Sequence, residues 1–300
     1  MNVMTLVILA AGMGSRYGGL KQLDAISNKN ESIIDFSIYD AIKCGFKKVV
    51  FVVRQDFLET IKALYLPKLQ DKIKVAFVCQ EVTNIPEEFK NNNRVKPWGT
   101  AHALLTVKNV VDDNFCVINA DDFYGANAFL KMAEFLNKTT PLSGEYAMVG
   151  FKIQNTLSEN GSVSRGECYL DANNYLKKIV ERTNISLIDN RIIYTENNQE
   201  KEIQKNSLVS MNFWGFTPTI FREMDALFYQ FLKENYQTDK KEFYLPSVVN
   251  HLLETKKATV KVLETNSNWL GVTYKEDKTA VISKITELKK DGVYPESLWS

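Results

Sequence analysis

The chain has 300 residues, 45% hydrophobic and 24% charged, the balance of a globular chain long enough for a sizeable core rather than a disordered or fibrous one. Thirty-seven basic and 36 acidic residues leave a formal charge of +1, so no overall field draws it to nucleic acid and no such partner is expected. Four cysteines (Cys44, Cys79, Cys116, Cys168) without a CxxC pair, and only two histidines, argue against a zinc site and fit reduced core thiols in a cytoplasmic protein. No apolar run approaches the roughly 18 residues that cross a bilayer, so no membrane partner is expected. The apolar start, Met1 to Ala11, has no positively charged leader and runs into a glycine-rich segment; it reads as a strand rather than a signal peptide.

Four continuous apolar runs mark the first half: Leu6 to Leu9, Val49 to Val53, Val75 to Val78 and Phe115 to Ile118. Runs apolar throughout suit strands of a parallel sheet covered on both faces. Amphipathic segments alternate with them, at Ile33 to Cys44, Phe57 to Leu66, Thr100 to Val107 and Ala126 to Leu136. This order predicts a doubly wound α/β sheet with right-handed crossovers. The polar stretch Glu81 to Lys96 is long for a loop inside a compact domain, which points to function or mobility. Beyond it, Tyr146 to Ile153, Cys168 to Leu170, Tyr175 to Val180, Arg191 to Tyr194 and Val209 to Phe216 read as strands. Asn184 to Asn206 reads as an exposed hairpin excursion. Helices follow at Pro218 to Glu234 and Leu245 to Glu254, then a strand at Ala258 to Leu263 and a helix near Lys278 to Lys290. No linker divides the chain, so one domain over 1–300 is expected, with a nucleotide-binding half (1–150) and an elaborated second half (151–300).

The most informative segment is Leu9-Ala10-Ala11-Gly12-Met13-Gly14-Ser15-Arg16-Tyr17-Gly18-Gly19-Leu20-Lys21-Gln22. Glycines after a buried strand let backbone N–H groups approach a phosphate, and Arg16 and Lys21 supply countercharge. The dinucleotide pattern GxGxxG fails because Tyr17 stands at its third glycine. The P-loop pattern fails because Leu20, not lysine, follows Gly19. The sequence L-A-A-G-x-G-S-R followed by K-Q instead resembles the signature loop of nucleoside-diphosphate-sugar pyrophosphorylases, the sugar-1-phosphate nucleotidyltransferases. The resemblance implies that Leu9, Ala11, Gly12, Gly14 and Ser15 wrap the nucleotide. It also implies that Arg16 stabilises departing pyrophosphate and that Lys21 holds the phosphate under attack. Here Leu20 precedes Lys21 where the family usually has proline, and the interval is shorter.

Further segments resemble the same family in order. Gln80 matches the glutamine that hydrogen-bonds the base, and Gly99-Thr100-Ala101 its G-T-A turn. Ala120-Asp121 matches its Gly-Asp, which makes Asp121 the implied Mg²⁺ ligand and Asp122 a second or alternative one. A magnesium ion needs only one or two carboxylates beside phosphate oxygens. Glu181-Arg182 stands where the family has Glu-Lys, implying that Glu181 accepts sugar hydroxyls and Arg182 binds the sugar phosphate. Asn212 matches the sugar-binding asparagine. In Trp269-Leu270-Gly271-Val272-Thr273 a glycine occupies the place of the family's late aspartate, commonly the second metal ligand. Either Asp122 or Asp277 substitutes for it, or one carboxylate suffices, or turnover is impaired. Asp277 reads equally well as a helix cap. His102 lies near the implied base site and His251 in an amphipathic helix. Neither is required as a base, since a sugar phosphate is already an anionic nucleophile.

The expected fold is a three-layer α/β/α sandwich with a mixed, mainly parallel central sheet, Rossmann-like and of the glycosyltransferase-A type. The expected activity is joining a sugar-1-phosphate to an NTP, with a pyrimidine favoured by Gln80, to give an NDP-sugar and pyrophosphate. Two other readings stay open: a nucleotide-sugar sensor without turnover, favoured by Gly271, and a metal-dependent glycosyltransferase using Asp121-Asp122. Whether copies of the chain form a homo-oligomer is also open.

Overall fold

A computed structural model of the chain describes residues 3–12, 24–90, 94–158, 160–197, 199–271 and 276–299. The apolar runs of the first half form β1 (Met4–Leu9), β2 (Lys48–Val53), β3 (Lys74–Cys79) and β4 (Asn114–Asn119). They lie side by side in the order β3-β2-β1-β4, all parallel. Helices α1 (Ile33–Lys43), α2 (Leu58–Leu69) and α3 (Thr100–Leu105) intervene in sequence. Successive strand residues face opposite sides. Accordingly Leu6 and Ile8, Val49 and Phe51, and Cys116 and Ile118 join one core with Phe36 of α1 and Tyr65 of α2. Val7, Val50 and Val117 join the other, with Leu104 of α3. A run apolar at every position is therefore a strand buried on both faces, and three layers follow.

The rest of the chain comprises β5 (Asp122–Phe123), α4 (Ala126–Lys138), β6 (Glu145–Lys152), β7 (Val163–Leu170), β8 (Leu176–Ile188), β9 (Arg191–Glu196), β10 (Gln199–Ile203), β11 (Leu208–Phe216), α5 (Thr219–Asn235), α6 (Leu245–Glu254), β12 (Thr259–Thr265), β13 (Leu270–Gly271) and α7 (Asp277–Lys290). Along one edge β11 pairs with β6, which pairs in parallel with β12. Along its other edge β11 pairs first with β7, through Val209 and Ser210, and then with β4, from Trp214 to Phe216. Strands β7 to β10 continue outward as an antiparallel ribbon. The sheet is thus mixed, a parallel first half extended by antiparallel strands.

The apolar pattern understates the strands of this second half. Strand β8 runs on to Ile188 rather than stopping at Val180, and β7 starts at Val163 rather than Cys168. Both belong to a ribbon with one wet face, where polar residues interrupt the apolar run without ending the strand. The expected excursion at Asn184 to Asn206 is the end of β8 with β9 and β10, and it buries Ile185, Ile192, Tyr194 and Ile203. No helix among the described residues is long and apolar enough to cross a membrane.

The C-terminal segment is fastened onto α1 by carboxylates. Asp35 is fully buried and accepts the Ser32 backbone N–H at 2.7 Å, Lys68 Nζ at 3.0 Å and Trp299 Nε1 at 2.7 Å. Glu31 accepts the Leu298 N–H at 2.7 Å, and Asp40 the Tyr294 hydroxyl at 2.7 Å. Lys68 is 26% exposed and can be hydrated, so what Asp35→Asn removes is chiefly the charge-assisted hydrogen bonding of a buried carboxylate. The free energy of unfolding should fall by about 2 kcal/mol, read as a lower urea midpoint at unchanged slope.

Candidate active site

Strand β11 changes partner on one edge, and a cleft of about 710 Å³ opens at the change. Its walls come from the end of β4 and the turn after it (Asn119, Asp121), from β5 (Asp122), from β7, from β8 and from β11 (Ser210 to Asn212). Thr100 of α3 and Tyr244 and Ser247 around the start of α6 close another side. Asn212 sits in the fork itself, where the register between β11 and β6 shifts, with a left-handed φ of +58°. Asparagine is among the few non-glycine residues that tolerate this conformation. Its Oδ1 accepts the Trp214 Nε1–H at 3.4 Å.

The carboxyl ends of β1 and β4 meet beside the cleft. Leu9 pairs with Asn119, and the Ala120 N–H bonds the Leu9 carbonyl at 3.2 Å. Ala11 and Gly12, where the glycine-rich segment begins, therefore leave the sheet next to Asp121. A Cβ on Gly12 would meet none of the described residues within 4 Å. Gly14, Ser15, Arg16 and Lys21 lie outside the described residues.

Tyr124, which nothing in the sequence singled out, holds this end of the sheet together. Its buried hydroxyl accepts the Asn119 N–H at 3.1 Å and shares its proton between Asp122 Oδ2 at 3.1 Å and the Met211 carbonyl at 3.0 Å. One side chain so links β4, β5 and the fork in β11. Asp122 Oδ2 also accepts Asn119 Nδ2 at 2.9 Å. Burial, reinforced by the neighbouring Asp121 charge, pushes the Asp122 carboxyl up from its ordinary range.

Across the ladder from Asp122 stands Gly271. A Cβ there would lie 2.3 Å from carbons of the Trp269 ring and 3.2 Å from Asp122 Oδ1. The indole fills the space that an aspartate at 271 would need, and an Asp122 oxygen reaches the same place from the opposite strand. Adjacent, partly desolvated carboxylates at a strand end are a donor set that fits a hard divalent cation. Among the described residues no group of three His, Cys, Asp or Glu side chains gathers to hold a metal unaided, so magnesium would depend on phosphate oxygens as well. Asp277 is turned elsewhere, its Oδ1 accepting Ser158 Oγ at 2.9 Å and Asn160 Nδ2 at 2.8 Å.

Glu181 and Arg182 of β8 separate. Glu181 lines the cleft opposite Gly166, its carboxyl pushed up by burial and held back by Arg165. Arg182 does not line it. Its guanidinium donates to Glu167 Oε2 at 2.9 Å, to Tyr169 Oη at 2.9 Å and to Glu196, and lies 4.7 Å from the Tyr194 ring centroid. Arg165, the cross-strand partner of Arg182, is the one basic side chain among the described residues lining the cleft. No sequence pattern marked it, because its burial rests on tertiary contacts, the Thr156 and Ser164 carbonyls and the Trp269 ring.

The implied base-binding residues form a second cluster. Gly99 has φ +107°, and a Cβ there would lie 2.6 Å from the Phe243 carbonyl oxygen, so only glycine lets the turn dock there. Thr100 Oγ1 then accepts the Leu245 N–H at 3.1 Å, capping α6. Buried Gln80 donates through Nε2 to the Gly99 carbonyl and to His102 Nδ1, both at 3.1 Å. His102 Nε2 meets the Asn84 carbonyl at 3.1 Å, so the ring is neutral with its proton on Nε2. Both amide hydrogens of Gln80 are engaged, which leaves Oε1 as an acceptor of fixed orientation.

Loss of hydration pushes His102 down to about 4 from its ordinary 6.5. The unfolded chain takes up this proton as pH falls through 6.5, while the folded chain resists until about 4. The stabilisation is thus complete above about 6.5 and lost on acidification. Between neutral pH and pH 5 His102 should account for about 2 kcal/mol of lost stability. Parallel denaturation of the native chain and of His102→Gln, which should lack that component, checks this.

The nucleotidyl transferase family model matches residues 5–277. A search of curated protein sequences finds no match. Among solved structures, the inositol-1-phosphate CTP transferase from T. maritima superposes with a TM-score of 0.63 at 16% identity, covering 96% of this chain and 98% of that one. A UDP-glucose pyrophosphorylase complexed with UDP-glucose gives 0.59 at 16% identity, covering 95% and 99%. A chain described as a glucose-1-phosphate thymidylyltransferase, from Bacillus anthracis, gives 0.61 at 14%, covering 94% and 95%. The fold is theirs, and the chain belongs to the nucleotidyl transferase family.

Proposed function

We propose that the chain is a sugar-1-phosphate nucleotidyltransferase acting as a single domain, with the nucleotide held by the first half and the acceptor by the second. The observation that carries this reading is the fork cleft itself, with Asp121, Asp122, Glu181 and Asn212 on its walls beside the strand end from which the glycine loop departs. An acceptor phosphate oxygen attacks the nucleotide α-phosphorus in line and pyrophosphate leaves. Catalysis of such a step rests on positioning and on neutralising charge. Arg16 and Lys21 are assigned to the phosphates by the motif. Asp121 and Asp122 would hold Mg²⁺, whose chemistry there is to offset charge on the phosphate oxygens. Gln80 offers a fixed acceptor to a base edge that donates an N–H, and the preference for a pyrimidine rests on the motif. Glu181 and Asn212 supply polar groups for acceptor hydroxyls.

The test is pyrophosphate release from each of the five nucleoside triphosphates with Mg²⁺ and a panel of sugar-1-phosphates. One pair should react, and Asp121→Ala should lower its kcat by about 10²–10³. Nucleotide binding without release from any pair would favour a sensor. Release of nucleoside diphosphate from an NDP-sugar would favour a glycosyltransferase.

A further inference from the structure

We propose that Arg165, seated on Trp269, receives the phosphate of the acceptor in place of Arg182. This rests on the reading of the cleft as an acceptor site and adds the residue that admits a dianion to it. The cleft walls carry the carboxylates of Asp121, Asp122 and Glu181, and Arg165 is their one cationic counterpart among the described residues. A phosphate entering a pocket of like charge needs a positive group at close range. Arg182 is poorly placed for this, since Glu167, Tyr169 and Glu196 already take its donors.

Arg165 is built as an anion receptor. It is only 8% exposed, and its hydrogen bonds run to main-chain carbonyls. Nε donates to Thr156 at 3.2 Å, Nη1 to Ser164 at 2.8 Å and Nη2 to Thr156. No carboxylate among the described residues is tied to it, although Asp122, Glu181 and Asp277 lie within electrostatic reach. A guanidinium has five N–H groups, so one hydrogen on each terminal nitrogen has no partner among the described residues. The charge persists near neutral pH, burial having pushed the group down only to about 10.

The platform beneath it gives a second, independent observation. The Arg165 guanidinium carbon lies 4.7 Å from the Trp269 ring centroid, a stack that fixes the plane of the fork. Trp269 also lines the cleft, is 8% exposed, and its buried Nε1 has no hydrogen-bond partner among the described residues. An unpartnered buried donor is costly. The stack holds the Arg165 fork in one plane at the cleft wall, where its two remaining hydrogens can meet an oxyanion. The bulk of the same indole explains Gly271, so the residue that leaves no room for an aspartate also carries the arginine.

The alternative is that Arg165 serves only to offset Asp122 and Glu181, in which case its loss would weaken nucleotide and phosphate binding alike. Calorimetric titration separates the two. Inorganic phosphate is added to the full chain saturated with Mg²⁺ and a non-hydrolysable nucleoside triphosphate, so that the nucleotide-phosphate site is filled. Arg165→Gln should weaken phosphate binding about tenfold or more while nucleotide affinity stays within about twofold. Arg165→Lys, which keeps the charge but loses the fork, should fall between. Arg182→Gln should bind phosphate like the native chain. The proposal is overturned if the native chain takes up no phosphate, if Arg165→Gln binds it unchanged, if both affinities fall together, or if Arg182→Gln is the variant that loses it. Should Arg165→Gln fail to fold, Arg165→Lys and Arg182→Gln decide by the same criteria. Phosphate binding through Arg165 in a chain that releases no pyrophosphate would leave this proposal standing and remove the transferase reading.

Discussion

A strand that keeps one neighbour along one edge and exchanges neighbours along the other must open a gap at the exchange. In this chain the strand is β11, the departing neighbours are β7 and β4, and the gap is the cleft. Asn212 absorbs the break with a left-handed φ of +58°, a conformation that costs energy for most residues and is tolerated where function repays it. The cleft lies at the carboxyl end of β4 because β11 meets β4 only after the fork. That is the side on which ligands bind in open α/β sheets.

A gap with three carboxylates on its walls is electrostatically unstable unless something holds it. Tyr124 and Asn119 stabilise Asp122 by donating to its Oδ2, while Oδ1 stays on the side of Gly271. Trp269 occupies the space beside Gly271, so a side chain at 271 would meet its ring. The same ring supports Arg165, so the acidic wall and its cation are connected through one indole.

Much of this architecture is legible in the order of residues, for reasons that differ by region. Strands β1, β2 and β4 are buried on both faces, so unbroken apolar runs announce them, and the ends of those runs place Gly12 and Asp121 at the sheet's carboxyl edge. Strands β7 and β8 have a wet face, and their alternation hides them: β8 continues eight residues past the expected end at Val180. Glu181, Asn212 and Asp122 were reachable by motif and do line the cleft. Arg182 and Arg165 show the limit. They are opposite one another in a ladder, and like charges placed there repel. Which arginine lines the cleft goes with their contacts, Glu167 and Glu196 for Arg182 and Trp269 for Arg165, and no linear pattern encodes these. Tyr124 was equally invisible, since a buried tyrosine is ordinary until its hydroxyl is seen to join three segments.

The central claim is that the cleft sets an acceptor phosphate in line with a nucleotide α-phosphorus. Parallel reactions with α-labelled and γ-labelled triphosphate measure this most directly. The account predicts that the α-label enters the sugar product while the γ-label leaves in pyrophosphate. Transfer of the γ-label to the acceptor, or retention of the α-label in nucleotide while a sugar moves from an NDP-sugar, would contradict it.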